Sequence, residues 1–230
     1  MIIEIESTRL SDGKFITNET SDNPFVAENG DFDEAKYITY GEFTFYECNA
    51  EDEESYPKRG NKIAVLKFTA LKETEICNDG LTLFVLADSI SADLINCIGC
   101  LDDKNIEDIK CSEDDLFRDT SIVVIDRLFV EEAYRKQGVA TMILGKLRSL
   151  LVSHFNLYSR LWLTCVKPDG ADIENAKEHP MYKDMVSLIE RCGFVPTDED
   201  RVYGFNVSLH EPFSGAPRAL NLSEECGLAN

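Results

Sequence analysis

Ile122-Val123-Val124-Ile125-Asp126-Arg127-Leu128-Phe129-Val130-Glu131-Glu132-Ala133-Tyr134-Arg135-Lys136-Gln137-Gly138-Val139-Ala140 holds a change of period that sets the fold. Its first half is a β-branched apolar run, which reads as a mostly buried strand. After it, Met142, Ile143, Leu144, Leu147, Leu150 and Leu151 recur at three- and four-residue spacing, while Lys146, Arg148 and Ser149 fall on the other side. That is an amphipathic helix. Between strand and helix lies a short loop with a basic start and a glycine. Such a junction aims the unpaired N–H groups of the first helical turn outward, where the helix dipole is positive, so it suits an anion such as a pyrophosphate. Gly138 would let the ligand approach the backbone, and Arg135 or Lys136 would add charge. The same spacing also fits an ordinary connection with solvated basic residues.

Leu128 to Ala140 resembles the acetyl-CoA-binding motif of the GNAT family of N-acetyltransferases, whose pattern is Arg or Gln, two residues, Gly, one residue, Gly or Ala. The resemblance extends to the apolar strand end before Arg135 and the amphipathic helix after Ala140. Ile189-Glu190-Arg191-Cys192-Gly193-Phe194 is similar to the family's closing helix-to-strand motif. The implied fold is α/β: a mixed central β-sheet flanked by helices, with two splayed parallel strands forming the cofactor cleft. Residues 40–210 would form this domain, with 1–39 as an acidic extension packed on the core and 211–230 as a tail.

Composition bounds the function classes. The 230 residues can bury a substantial core. No apolar run approaches the roughly 18 residues of a transmembrane helix, and the start lacks the basic and apolar regions of a signal peptide. The expected location is therefore cytoplasmic, away from membranes. Eight cysteines in a chain of this size read as reduced thiols. Cys97 and Cys100 fit one helix face better than a metal site, because Cys77 and Cys111 stand alone without a neighbouring His. A net charge of −20 repels phosphate backbones and anionic membranes, so direct nucleic-acid binding is not expected. It would attract a basic partner, and equally it would serve solubility alone.

Short β segments are expected at Ile2 to Ile5 and Tyr37 to Tyr46, followed by a charged hairpin loop over 51–60 and a returning strand over Asn61 to Leu71. Leu81 to Leu101 reads mostly as helix, N-capped at Ser91, and 104–119 as loop or a short helical piece. Arg160 to Val166 forms a second apolar strand, and strand, helix, strand in this order implies parallel neighbours with a right-handed crossover. A helix from Met181 to Cys192 closes on Gly193 as its C′ residue, and Phe194-Val195 and Arg201 to Leu209 supply the last strands.

The resemblance implies acetyl transfer from acetyl-CoA to a primary amine by direct attack. The acceptor would be a small amine or polyamine, or a protein lysine or N-terminus, and the pattern leaves room for a homodimer. Backbone N–H groups near Leu128, Phe129 and Val130 would stabilise the thioester carbonyl. Arg135, Lys136, Gln137, Gly138, Val139 and Ala140 would hold the pyrophosphate, with Thr141 a hydroxyl donor in the first turn. Asp126, two and four residues before Leu128 and Val130, stands where many relatives carry a carboxylate base. Strict alternation sends Arg127 to the opposite face, so Asp126 either acts on the acceptor or pairs across to a neighbouring strand. Glu131 and Glu132 read as loop charges, and His154, His179 and His210 as surface residues. Thr164 and Cys165 lie on the second strand, near the cleft or packed beside it. Relatives often carry a Tyr four residues before the closing Gly as the acid; here that position is Ile189, and Tyr182 aligns instead as a cofactor contact. This departure favours a second reading, a catalytically weak acyl-CoA-binding scaffold whose acidic surface engages a basic protein.

Overall fold

The computed structural model describes residues 2–10, 34–49, 58–102, 121–168 and 173–207. Its strands are β1 (Ile2–Leu10), β2 (Ile38–Asn49), β3 (Lys58–Lys72), β4 (Ser121–Val130), β5 (Ser159–Cys165), β6 (Val195–Pro196) and β7 (Val202–Asn206). They form one sheet in the order β1-β2-β3-β4-β5-β7-β6. Every neighbouring pair is antiparallel except β4 and β5. These two are parallel because the helix α5 (Val139–Phe155) carries the chain back between them.

Alternation of side chains across the strands builds two cores, one on each face of the sheet. On one face Phe43, Phe68, Val123, Ile125 and Trp162 meet Ile143, Leu147 and Leu151 of α5. There the ring of Phe155 stands edge-on to Phe43 and Phe68, with centroids 5.2 and 5.0 Å away. Gly41 belongs to this packing, because a Cβ there would lie 2.3 Å from Phe68 Cζ. On the other face Leu71, Ile122, Val124, Leu161 and Leu163 are covered by α1 (Glu34–Tyr37), α2 (Glu73–Asn78), α3 (Leu83–Ile90) and α4 (Ala92–Gly99).

Local signals explain the boundaries. The Thr82 and Ser91 hydroxyls accept hydrogen bonds from Val85 N and Leu94 N, starting α3 and α4 as N-caps do. The helical reading of Leu81 to Leu101 therefore holds. The last helix, α6 (Tyr182–Arg191), ends in a complete Schellman motif. Gly193, at φ 84°, donates to Glu190 O, and Phe194 N donates to Ile189 O. Phe194 and Ile189 share the first core, as that motif's apolar contact requires. The loop over 51–57, the segment 104–119, the tail from 211 and His210 lie outside the described residues.

Candidate active site

The parallel ladder of β4 and β5 runs from Ser121 opposite Ser159 to Val124 opposite Leu163 and then stops. β4 continues to Val130 while β5 turns its remaining residues to β7. The Thr164 hydroxyl donates to Ile125 O at 3.1 Å and closes the last joint, so the strands part at residue 126. From there to Val130 the edge of β4 that faces β5 has no ladder partner on β5. A strand edge of this kind offers backbone N–H and C=O groups to a ligand.

At the same point β4 bulges. On the β3 side Ile125 faces Phe68 and Arg127 faces Lys67, leaving Asp126 as the extra residue. The bulge breaks the alternation assumed from sequence. Ile125, Leu128 and Val130 all pack against the α5-side core, so Asp126 and Arg127 both stand away from it. The expectation that Arg127 points opposite to Asp126 is thus corrected: one inserted residue reverses the parity of all that follow it. Arg127 lies over the Phe129 ring, 5.1 Å from its centroid.

Asp126 accepts a 2.8 Å hydrogen bond from the buried Thr69 hydroxyl, the cross-strand partner anticipated as an alternative. Its side chain is solvent-exposed, yet the surrounding protein still crowds the carboxylate enough to cost its charged form hydration. That crowding raises its pKa to about 6, assisted by Asp93 and opposed by the Thr69 hydrogen bond and Lys67. A carboxylate titrating there can exchange protons at neutral pH.

After Val130 a 3-10 turn, Glu132–Tyr134, leads into the basic junction. The Tyr134 hydroxyl donates to Glu47 Oε2 at 2.9 Å, tying this turn to β2. Arg135 Nε donates to Val130 O at 2.9 Å, and its guanidinium lies 5.5 Å from the Phe129 centroid. It therefore latches the turn to the strand end. Gln137 likewise folds back, its Nε2 donating to Ala133 O. Lys136 is exposed at φ 61° and Gly138 has φ 83°. These two left-handed residues turn the chain sharply into α5, an adjustment that glycine makes without a Cβ penalty. The N-cap residue, Gly138, has no side chain to cap α5, and no acid occupies the first turn. Among the described residues no side chain therefore caps the opening N–H groups of Val139, Ala140 and Thr141.

The far wall comes from β5, β7 and α6. Tyr182, at the start of α6, packs against the α5-side core and is hydrogen-bonded through its hydroxyl to the buried Tyr203 of β7; burial raises the pKa of both phenols. Ile189 is buried in that core and brings no proton donor. Cys165 packs on the opposite core, and burial raises its thiol pKa. Cys97 and Cys100 are buried on one side of α4 and its extension, the Cys100 thiol donating to Cys97 O. The six described cysteines are free, and no three His, Cys, Asp or Glu side chains among the described residues converge as metal ligands. Glu131 pairs with Lys62 at 3.4 Å, His154 bonds Ser7, and His179 Nδ1 accepts from Met181 N.

Sequence reading missed Arg201, a buried guanidinium directly before β7. Its signal was slight: an arginine after three acids, abutting an apolar strand. Among the described residues no helix is long and apolar enough to cross a membrane.

Comparison with solved structures finds distant likenesses. Arabidopsis thaliana NAA60 in complex with acetyl-CoA is 11% identical, with TM-score 0.39, over 89% of this chain and 99% of that one. A tyrosine-to-phenylalanine mutant of KacT is 10% identical, with TM-score 0.38, over 91% and 97%. AtaT complexed with acetyl-methionyl-tRNAfMet is 11% identical, with TM-score 0.35, over 90% and 96%. Similarities this low carry nothing further, and no curated protein matches the chain. The model of the acetyltransferase (GNAT) family, by contrast, matches residues 45–194, a span that contains the parted strands, the basic turn and the Schellman closure. The chain belongs to this family and is an acyltransferase that uses acetyl-CoA as its donor.

Proposed function

We propose that the protein transfers the acetyl group of acetyl-CoA directly to a primary amine, with Asp126 as the base and the turn from Arg135 to Thr141 as the seat of the cofactor's pyrophosphate. The observation that carries this reading is the coincidence at one residue: β4 leaves β5, bulges, and places a carboxylate of pKa about 6 at the mouth of the gap. The pantetheine arm would lie along the open edge from Asp126 to Val130, paired as an added strand. Backbone donors at Leu128, Phe129 and Val130 would meet the thioester oxygen as charge develops on it. Lys136 and the uncapped N–H groups of Val139, Ala140 and Thr141 would meet the pyrophosphate, while Arg135 and Gln137 hold the turn in shape. Tyr182 would contact the cofactor from the α6 side.

In this scheme Asp126, directly or through water, accepts a proton from the acceptor's ammonium. The freed amine nitrogen attacks the thioester carbonyl carbon and becomes positively charged, the C–S bond breaks with its electron pair going to sulfur, and the nitrogen's surplus proton passes through water to the departing CoA thiolate. A thiolate needs no dedicated acid, since water can protonate it, and Ile189 supplies none. The net charge of −20 favours a cationic acceptor over a nucleic acid or an anionic membrane. The decisive assay supplies deuterium-labelled acetyl-CoA with a panel of polyamines, amino acids and Lys-containing peptides, and follows product by mass spectrometry. Labelled acetyl amides are expected in at least one class. Tight cofactor binding with no labelled amide, in the panel or in cell extract, would favour the scaffold that engages a basic protein.

A further inference from the structure

Arg201 is out of place unless something is to be bound. Its side chain is only 7% exposed, and its backbone is held at φ 63°, a region that costs a non-glycine residue about 1–2 kcal/mol. Nε donates to Asp200 Oδ2 at 3.0 Å, but Nη1 is buried with no hydrogen-bond partner among the described residues. Asp200 is itself largely exposed and shared with Lys177, so it neutralises the guanidinium only from the solvent side. A buried, charged donor left unpaired is costly, and native proteins rarely retain one without a use.

The position of Arg201 says what the use is. Its carbonyl accepts from Val166 N at 2.8 Å, and the next residue, Val202, pairs with Cys165. The residue thus sits at the carboxyl end of β5, past the point where β5 has parted from β4. Asp126 and Cys165 follow the last joint between β4 and β5, the Thr164 to Ile125 bond, so Arg201 stands one strand beyond the opening that Asp126 borders, and its charge reaches the Cys165 thiol and the Tyr182 hydroxyl. Asp93, in the first turn of α4, adds negative charge that both Cys165 and Asp126 feel.

The cleft therefore presents two opposite demands. Asp126 and Asp93 attract a cation, while the buried Nη1 of Arg201 calls for an anionic oxygen, the partner that best restores a charged donor's lost hydration. A polyamine meets only the first demand, and a free anion is repelled by the acids. We propose that the acceptor is a zwitterion of amino-acid type, its amine directed to Asp126 and its carboxylate received by Nη1 of Arg201. Arg201 is then a specificity-determining binding residue. This rests on the acetyl-transfer reading of the same cleft and narrows its acceptor class.

The test compares matched pairs that differ by one carboxylate, L-lysine with cadaverine and L-ornithine with putrescine, by CoA release with acetyl-CoA saturating. Wild type should favour the carboxylate-bearing member by about 10–100-fold in kcat/KM, the range of a charge-assisted hydrogen bond. Arg201→Gln should bring that ratio close to unity, chiefly through KM, while stabilisation by acetyl-CoA stays at the wild-type value. Should Gln unsettle the fold, Arg201→Lys, which keeps the charge but withdraws the fork donor, must still lose most of the preference. A wild type without preference for either pair, or a preference that survives both variants, overturns the proposal. Loss of acetyl-CoA stabilisation in Arg201→Gln also overturns it, assigning Nη1 to the cofactor. Failure of acetyl-CoA to stabilise wild type would strike the cofactor site itself, and so is separable from all of these.

Discussion

Gly138→Val should abolish the thermal stabilisation that acetyl-CoA gives the wild-type protein. At a ligand concentration near 100 Kd, one-site binding adds about 2.7 kcal/mol. For a chain of this size that corresponds to a rise in Tm of about 5–10 °C. Gly138 stands at φ 83° as the residue before α5, in a turn whose preceding Lys136 is also left-handed. A β-branched side chain there faces a backbone region it strongly disfavours and occupies the approach to the first-turn N–H groups. Relaxing the turn would break the registration of Val139, Ala140 and Thr141 toward one anion. The apo protein should lose about 1–2 kcal/mol, since the turn lies outside both cores. A variant that keeps the full acetyl-CoA shift would remove the pyrophosphate from this turn.

Asp126→Asn should lower kcat/KM by about 10²–10⁴-fold, the usual contribution of a positioned base, with little change in acetyl-CoA affinity. The pH dependence gives the sharper signature. A base works only when deprotonated, so wild-type activity should climb with pH through about 6, the pKa that crowding gives Asp126. The Asn variant should lack this rise. Thr69→Val supplies a graded control: the Thr69 hydroxyl stabilises the carboxylate, so its removal should move the rising limb to higher pH while activity above it persists. A rise near pH 6 that survives in Asp126→Asn would assign the titration to another group.

The elements that position this site were legible where period and punctuation agree. The apolar run to Val130, the glycine turn and the helix after it declared themselves, because a buried strand, a left-handed glycine and an amphipathic helix each leave distinct residue patterns. Gly193 announced the end of α6 in the same way. The bulge at Asp126 did not, since an inserted residue changes pairing without changing composition, and Arg127 was misplaced as a result. The roles of Arg135 and Gln137 were also hidden. Both basic and amide side chains near a phosphate turn read as ligands, whereas here Val130 O and Ala133 O draw them back onto the backbone. Arg201 escaped because burial of a guanidinium is a tertiary property: nothing in Asp198-Glu199-Asp200-Arg201 distinguishes it from a solvated ion pair.

Hydrogen exchange with and without saturating acetyl-CoA tests the central assignment most directly, because backbone amides are the claimed ligands. Exchange should slow across Asp126 to Thr141, at the open β4 edge and in the first turn of α5, with lesser protection near Tyr182. Unchanged exchange across Asp126 to Thr141 at saturating acetyl-CoA, with protection confined to other segments, would contradict it.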